Sequence, residues 1–207
     1  MAKTKMKLMY SPTSPYVRKV MVVAVEKGLD KKIEKITAAT TPVSPNPDVM
    51  AQNPLAKVPT LKADGLSLYD SPVICEYLDS RSKKKAFFPA KGKARFNALR
   101  QQALGDGLLD AALLVRYEIT LREEPMRNAA WHEAQMKKIR SALDQMEREA
   151  GSLKGSLTIG HVTFACALGY LDFRFADEGW RNGRKKLAAW YDKFAQRPSM
   201  KATMPPG

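Results

Sequence analysis

Cysteine and histidine are scarce in this chain of 207 residues, with two of each: Cys75, Cys166, His132 and His161. The cysteines stand far apart and form no CxxC, which excludes a disulfide scaffold and a zinc finger. Two histidines are too few for a His-rich metal site, and no metal is expected. Both cysteines read as buried thiols of a reducing compartment, so the chain reads as cytoplasmic. No stretch approaches the ~18 apolar residues of a membrane span. The opening MAKTKMKLMY is basic but lacks the apolar core and cleavage site of a secretory signal. G-x-G-x-x-G, Walker A and G-x-S-x-G are all absent, so nucleotide cradles and serine-hydrolase chemistry have no support.

What the chain does have is positive charge. Lys and Arg number 35 against 21 Asp and Glu, a formal net charge of +14. The excess is uneven. Residues 1–81 and 96–207 each carry a net +4, whereas the fourteen residues 82–95, SKKKAFFPAKGKAR, carry +6 with no acid. That segment also holds Pro89 and Gly92 and marks a change of pattern. Before it, short apolar runs alternate with helical spacing; after it, the spacing is helical throughout. The chain therefore divides into an α/β domain (1–81), a basic interdomain linker (82–95) and an all-α domain (96–207).

In the first domain, alternation over Lys5–Tyr10 predicts a strand. Val17, Val20, Met21, Ala24 and Val25 predict a helix from Pro15, capped by Ser14 and stopped by Gly28. A weaker strand follows at Ile33–Thr37, then a Pro-rich loop with a short helix near Pro47–Gln52. Asp64-Gly65 between Val58–Ala63 and Leu66–Tyr69 predicts a hairpin. Ser71-Pro72 repeats the cap-plus-proline start for a helix buried through Val73, Ile74, Tyr77 and Leu78. In the second domain, helices are expected from Phe96 to about Leu121, through Ile139–Ala150, from near Thr158, and around Trp190–Phe194 before Pro198.

Three features can carry chemistry. Ser14 lies at a helix N-terminus, which carries roughly half a positive charge and unpaired N–H groups, so it favours anions. Lys57-Val58-Pro59 presents extended backbone that can face a peptide. Asp70-Ser71 is a second helix start, able to hold a carboxylate and an amine. Two helix N-termini on one small domain suit a zwitterionic, peptide-like anion. Each feature alone reads as an ordinary cap or turn.

Taken in order, the motifs resemble the cytosolic glutathione S-transferases, in particular bacterial members with an active-site serine. YSPTSPYVRKV with EKGL resembles the family's first strand, active loop and first helix. NPLAKVPTL resembles the segment ending in its cis-proline. LYDSPVICEYLD is similar to its γ-glutamyl-binding segment, and LTIGHVTFACALGYLDFRF to its C-terminal core helix. The resemblance covers nearly the whole chain from Lys5.

The resemblance implies a thioredoxin-like N-terminal domain with a four-stranded mixed sheet, an all-helical C-terminal domain and a homodimer. Its ligands would be glutathione, as co-substrate, and a small hydrophobic electrophile, in a detoxification reaction. Ser14 would meet the glutathione sulfur, with Ser11 in the same loop as its rival. Val58 would pair its backbone with the cysteinyl part, Asp70 and Ser71 would hold the γ-glutamyl end, Lys57 would reach the glycine carboxylate, and Pro59 would be cis. Tyr16, Asp110 and Tyr117 are candidates for the electrophile site; the last two stand seven apart on the first long helix. Serine instead of cysteine at 14 argues against mixed-disulfide chemistry.

One departure stands out. The family's capping motif is Ser/Thr-x-x-Asp, and Thr158-Ile159-Gly160-His161 places histidine where aspartate is expected. Neutral histidine can accept from the Thr158 N–H, but imidazolium cannot, and a cation in a helix's first turn is unfavourable. Two other functions compete with the transferase. One is a non-catalytic glutathione-binding scaffold or stress protein on the same fold, which retention of Lys57, Val58, Asp70 and Ser71 weighs against. The other is nucleic-acid binding through the basic linker, which lacks interleaved aromatics beyond Phe87 and Phe88; no specific nucleic acid is expected.

Overall fold

The computed structural model describes residues 6–206. Lys5, the predicted first residue of the opening strand, lies outside them. Two compact units result: one runs through Phe88 and takes in the chain from Pro198, and the other spans Pro89–Arg197.

The first unit is built on β1 (Met6–Tyr10), α1 (Pro15–Lys27), β2 (Ile33–Thr37), α2 (Pro47–Met50), β3 (Thr60–Ala63), β4 (Leu66–Leu68) and α3 (Ser71–Ser80). The sheet order is β2-β1-β3-β4. β1 and β2 are parallel, joined by α1, while β3 is antiparallel to both of its neighbours. This is the thioredoxin-like arrangement. Leu8 and Leu61, facing partners in the register, are fully buried with Val20, Val22 and Val23 of α1 and Ile74, Cys75 and Leu78 of α3.

The turns follow their chemistry. Asp64 and Gly65 both adopt positive φ, 49° and 79°, the requirement of the tight hairpin turn. β3 begins at Thr60 and not at Val58, because Pro59 has no N–H for the ladder. α1 ends as a Schellman motif: Gly28 sits at φ 71°, its N–H bonds Val25 O at 3.0 Å and the Leu29 N–H bonds Ala24 O at 2.8 Å.

A buried ion pair joins the last turns of α1 and α3. Lys27 Nζ is 2.5 Å from Asp79 Oδ1, and their side chains are 0% and 7% exposed. Lys27 also donates to Lys85 O at 2.5 Å and lies over the Phe87 ring. Asp79 accepts from the Phe87 N–H at 2.9 Å and the Phe88 N–H at 3.2 Å. The segment expected to be a linker from residue 82 is thus anchored to the first unit as far as Phe88.

The second unit comprises α4 (Gly92–Leu121), α5 (Ala129–Ala150), α6 (Ile159–Arg174) and α7 (Lys185–Ala195). α4 starts four residues ahead of the expected Phe96, since the basic stretch contributes its first turn. α5 starts well ahead of Ile139, where Asn128 caps it by accepting from the Trp131 N–H at 3.0 Å. Pro198, expected to end the last helix, instead opens a further one, α8 (Pro198–Ala202). The expected boundary of 96–207 is corrected accordingly: from Pro198 the chain returns to the first unit, where Arg18 donates to Met200 O at 3.2 Å and Ser199 Oγ donates to Glu26 at 2.6 Å.

Glycines allow α4 and α6 to approach closely. A Cβ at Gly160 would meet Gln101 at 2.6 Å, and one at Gly105 would meet Thr163 at 2.7 Å. Gln101 also donates to Glu149 of α5, as do Arg100, through two bonds, and Gln145. Burial pushes the Glu149 carboxyl up, but the hydrogen bonds from Arg100, Gln145 and Gln101 outweigh it and bring it down to about 2. At the head of α6, Thr158 N–H donates to His161 Nδ1 at 3.2 Å, and Thr158 Oγ1 is 2.7 Å from the same nitrogen. His161 therefore replaces the capping carboxylate as an acceptor, and burial lowers its pKa below the usual 6.5. No helix among the described residues is long and apolar enough to cross a membrane.

Two outcomes follow from these interactions. Asp79→Ala is expected to cost about 3–5 kcal/mol in urea unfolding, because it strands the Lys27 ammonium and two amides. Adding Lys27→Met should recover part of the loss but not all, since the Phe87 and Phe88 N–H groups remain unpaired. For His161 the folded pKa lies below the unfolded one, so its contribution is complete above the unfolded value and lost as pH falls from there through the folded value. His161→Asp should raise the melting temperature, more at about pH 5.5 than at about pH 7.5; an equal or absent gain would contradict the cap assignment.

Candidate functional site

The sheet register gathers the candidate segments. β1 ends at Tyr10, and its Met9 faces Thr60, the first residue of β3. Leu61 in turn faces Leu68, the last residue of β4. The chain leaving β1 at Ser11–Ser14, the chain entering β3 at Lys57–Pro59 and the chain leaving β4 at Asp70 thus share one end of the sheet. α1 and α3 both begin there, so two helix N-termini face the same end.

Ser14 caps α1 as expected. Its Oγ accepts from the Val17 N–H at 3.3 Å, and its own N–H bonds Ser11 O at 3.2 Å. The Ser14 hydroxyl proton remains able to donate elsewhere, and accepting from an amide strengthens it as a donor. Ser11 precedes the helix, and its Oγ lies 3.5 Å from Thr13 Oγ1. Both serines are half-buried, but only Ser14 stands at the positive end of the helix.

The Val58–Pro59 bond is cis. The bend before it is organised by Asn53, a buried residue that sequence analysis missed. Asn53 Nδ2 donates to Lys57 O and to Thr60 Oγ1, both at 3.1 Å, while its Oδ1 accepts from the Leu55 N–H at 3.0 Å. Thr60 Oγ1 also donates to Lys57 O, at 2.8 Å. The only hint in the sequence was an Asn-Pro turn signal. The Val58 amide and carbonyl enter none of the described backbone hydrogen bonds outside regular elements. Lys57 is exposed and Val58 half-buried.

The second helix start is shifted by one residue from expectation. Asp70, not Ser71, is the N-cap, and Ser71 is the first helical residue, 2% exposed. The Asp70 side chain makes no capping bond and stays exposed, so its carboxylate is not spent on the helix. Tyr16, in the first turn of α1, is half-buried. Asp110 and Tyr117 lie in the second unit on α4; Asp110 is exposed, and burial raises the Tyr117 phenol above its usual pKa. Among the described residues, no group of three or more His, Cys, Asp or Glu could hold a metal ion.

A parallel βαβ unit, an antiparallel hairpin and a helix, carrying two helix N-termini at one sheet end and followed by a helical unit, define the two-domain glutathione transferase fold. Comparison with known proteins agrees. Residues 13–81 match the N-terminal domain of glutathione S-transferases and residues 129–193 match the C-terminal domain. The uncharacterised GST-like protein YibF of Escherichia coli K12 is 34% identical over 209 residues, spanning 97% of this chain and 99% of that one. A glutathione transferase family member from Pseudomonas fluorescens Pf-5, solved with bound glutathione, is 44% identical with a TM-score of 0.96, covering 98% of this chain and 100% of that one. A Pf-5 family member has also been solved with bound S-(propanoic acid)-glutathione, at 43% identity and a TM-score of 0.91, covering 97% of this chain and 100% of that one. The chain belongs to the glutathione S-transferase family.

The Asn53 cluster generates a direct test. Asn53→Ala should destabilise the first unit by about 2–3 kcal/mol in urea unfolding, since buried partners lose their bonds. Asn53→Asp keeps the acceptor for Leu55 but loses the donor, and should also be destabilising.

Proposed function

We propose that the chain is a cytoplasmic, homodimeric glutathione transferase that ionises glutathione for attack on a small electrophile, with detoxification as its role. The observation that carries this reading is Ser14 at the N-cap of α1, with its hydroxyl proton available and the helix dipole behind it. The glutathione bound to the Pf-5 relative supports the choice of thiol. Val58 would pair its main chain with the cysteinyl unit. Asp70 would accept from the γ-glutamyl amine, and the N-terminal turn of α3 with Ser71 would receive the γ-glutamyl carboxylate. Lys57 would balance the glycine carboxylate. Tyr16, Asp110 and Tyr117 would meet the electrophile.

The energetics are sufficient. A free thiol ionises near pH 8.5, and lowering that by about two units takes roughly 2.7 kcal/mol of preferential thiolate stabilisation. One charge-assisted hydrogen bond and one helix N-terminus together supply that order of energy. Ser14 acts as a donor throughout and forms no covalent intermediate.

Ser14→Ala should therefore raise the apparent pKa of bound glutathione by about one to two units. At neutral pH it should lower kcat/KM for an aryl halide by roughly ten- to a hundredfold. Thiolate absorbance and a pH–rate profile check the two effects. If Ser11→Ala produces the loss and Ser14→Ala does not, the sulfur contact belongs to Ser11. Retention on immobilised glutathione without turnover of any electrophile would mark a binding scaffold instead.

A further inference from the structure

α4 and α6 run parallel and close together, as the contacts of Gly160 with Ala98 and Gln101 and of Gly105 with Thr163 and Phe164 show. Continuing that alignment toward the C-terminal ends brings Tyr170 and Arg174 of α6 level with Arg116 and Tyr117 of α4. Tyr170 and Arg174 are four residues apart and share one face of α6. Burial first, and then the nearby charge of Arg116, disfavour the Arg174 cation.

Such a pairing of cations needs compensation. Other arginines of this unit have acceptors: Arg100 pairs with Glu149, Arg140 with Glu133, Arg181 with Asp172 and Arg184 with Asp144, while Arg127 donates to main-chain carbonyls and Arg148 to the Gln145 amide oxygen. Neither Arg116 nor Arg174 has an ion pair among the described residues. Moreover, Arg174 Nε is buried with no hydrogen-bond partner there, while its guanidinium lies over the Phe173 ring, 3.7 Å from the centroid. A buried donor of this kind costs free energy unless something accepts from it. Tyr170 adds a phenol held in its protonated form, since burial pushes its pKa up to about 12 despite both arginines. Two cations and two neutral phenols make a donor-rich set with no anion among its members, bordered by aromatic rings.

We infer that Arg116, Tyr117, Tyr170 and Arg174 form a carboxylate-binding subsite for a small organic acid with an apolar body. Arg174 and Arg116 receive the carboxylate, the tyrosines donate to it, and Phe173 supports the guanidinium. Resting on the transferase reading, this assigns the electrophile to a class: small molecules that carry their own carboxylate. For an α,β-unsaturated acid, the thiolate sulfur bonds the β-carbon and the π pair moves to the α-carbon. A proton from solvent then completes the adduct, and no further reactant is consumed.

The test separates the subsite from the transferase reading by omitting glutathione. Binding of 4-phenylbutyrate and of its neutral amide is measured by calorimetry on the full chain. The wild type should prefer the acid by about ten- to a hundredfold, the worth of a charge-assisted hydrogen bond. Arg174→Gln and Arg116→Gln should each reduce that preference, and Arg174→Lys should retain more of it than Arg174→Gln does. Equal affinity of the wild type for acid and amide overturns the proposal without need of any variant, as does a preference that survives both glutamine substitutions. If the preference holds but Ser14→Ala leaves turnover unaltered, the subsite stands and the reading of Ser14 falls.

Discussion

The Lys27–Asp79 pair is the constraint on which the first unit depends. It joins the last turn of α1 to the last turn of α3, and both carry the candidate site residues at the opposite terminus. α1 begins at Ser14 and α3 at Asp70. An α-helix is stiff over the roughly 15–20 Å of such lengths, so fixing the two C-terminal ends helps set where the two N-termini stand. The pair is buried, and a buried pair is tolerated only when its remaining valences are met. Lys85 O, the Phe87 ring and the amides of Phe87 and Phe88 meet them.

The same junction gives part of the basic segment a physical reason. Lys84 Nζ donates to Glu26 O at 2.8 Å, at the negative end of α1, where a cation is favoured. Ser82 Oγ donates to Lys27 O at 3.1 Å. Lys83, Lys91 and Lys93 remain exposed, and nothing in the structure explains their charge. The 35 basic side chains therefore include cations that close a helix, cations that pair with acids within the helical unit, and solvated ones.

Local chemistry made much of this fold legible. Ser14, Gly28 and Asp64-Gly65 are caps and turns whose geometry is decided within four or five residues, and each stands where the sequence places it. The histidine at position 161 could be recognised as a neutral acceptor because the capping box has a fixed three-residue step. Long-range partners were not legible. Lys27 and Asp79 are 52 positions apart and look like ordinary surface charges in the sequence. Asn53 looks like a turn residue, and only the fold shows three groups converging on its amide. Pro198 signals a helix stop as readily as a helix start, so the return of the C-terminal segment to the first unit had no local sign. Arg116 and Arg174 become neighbours only through the parallel packing of α4 and α6.

The bend at Val58 has a consequence for how this family can diverge. The groups it offers belong to the main chain and are positioned by Asn53, Thr60 and the proline that follows. Side-chain replacement at 58 leaves an amide and a carbonyl in place, so what the bend presents is insulated from mutational drift at that position. The vulnerable letters are the ones that shape the bend. A lineage that loses Asn53 or Pro59 would forfeit the main-chain contact proposed for Val58, while the side chains proposed to hold the rest of the ligand, Ser14 and Asp70, still appeared intact.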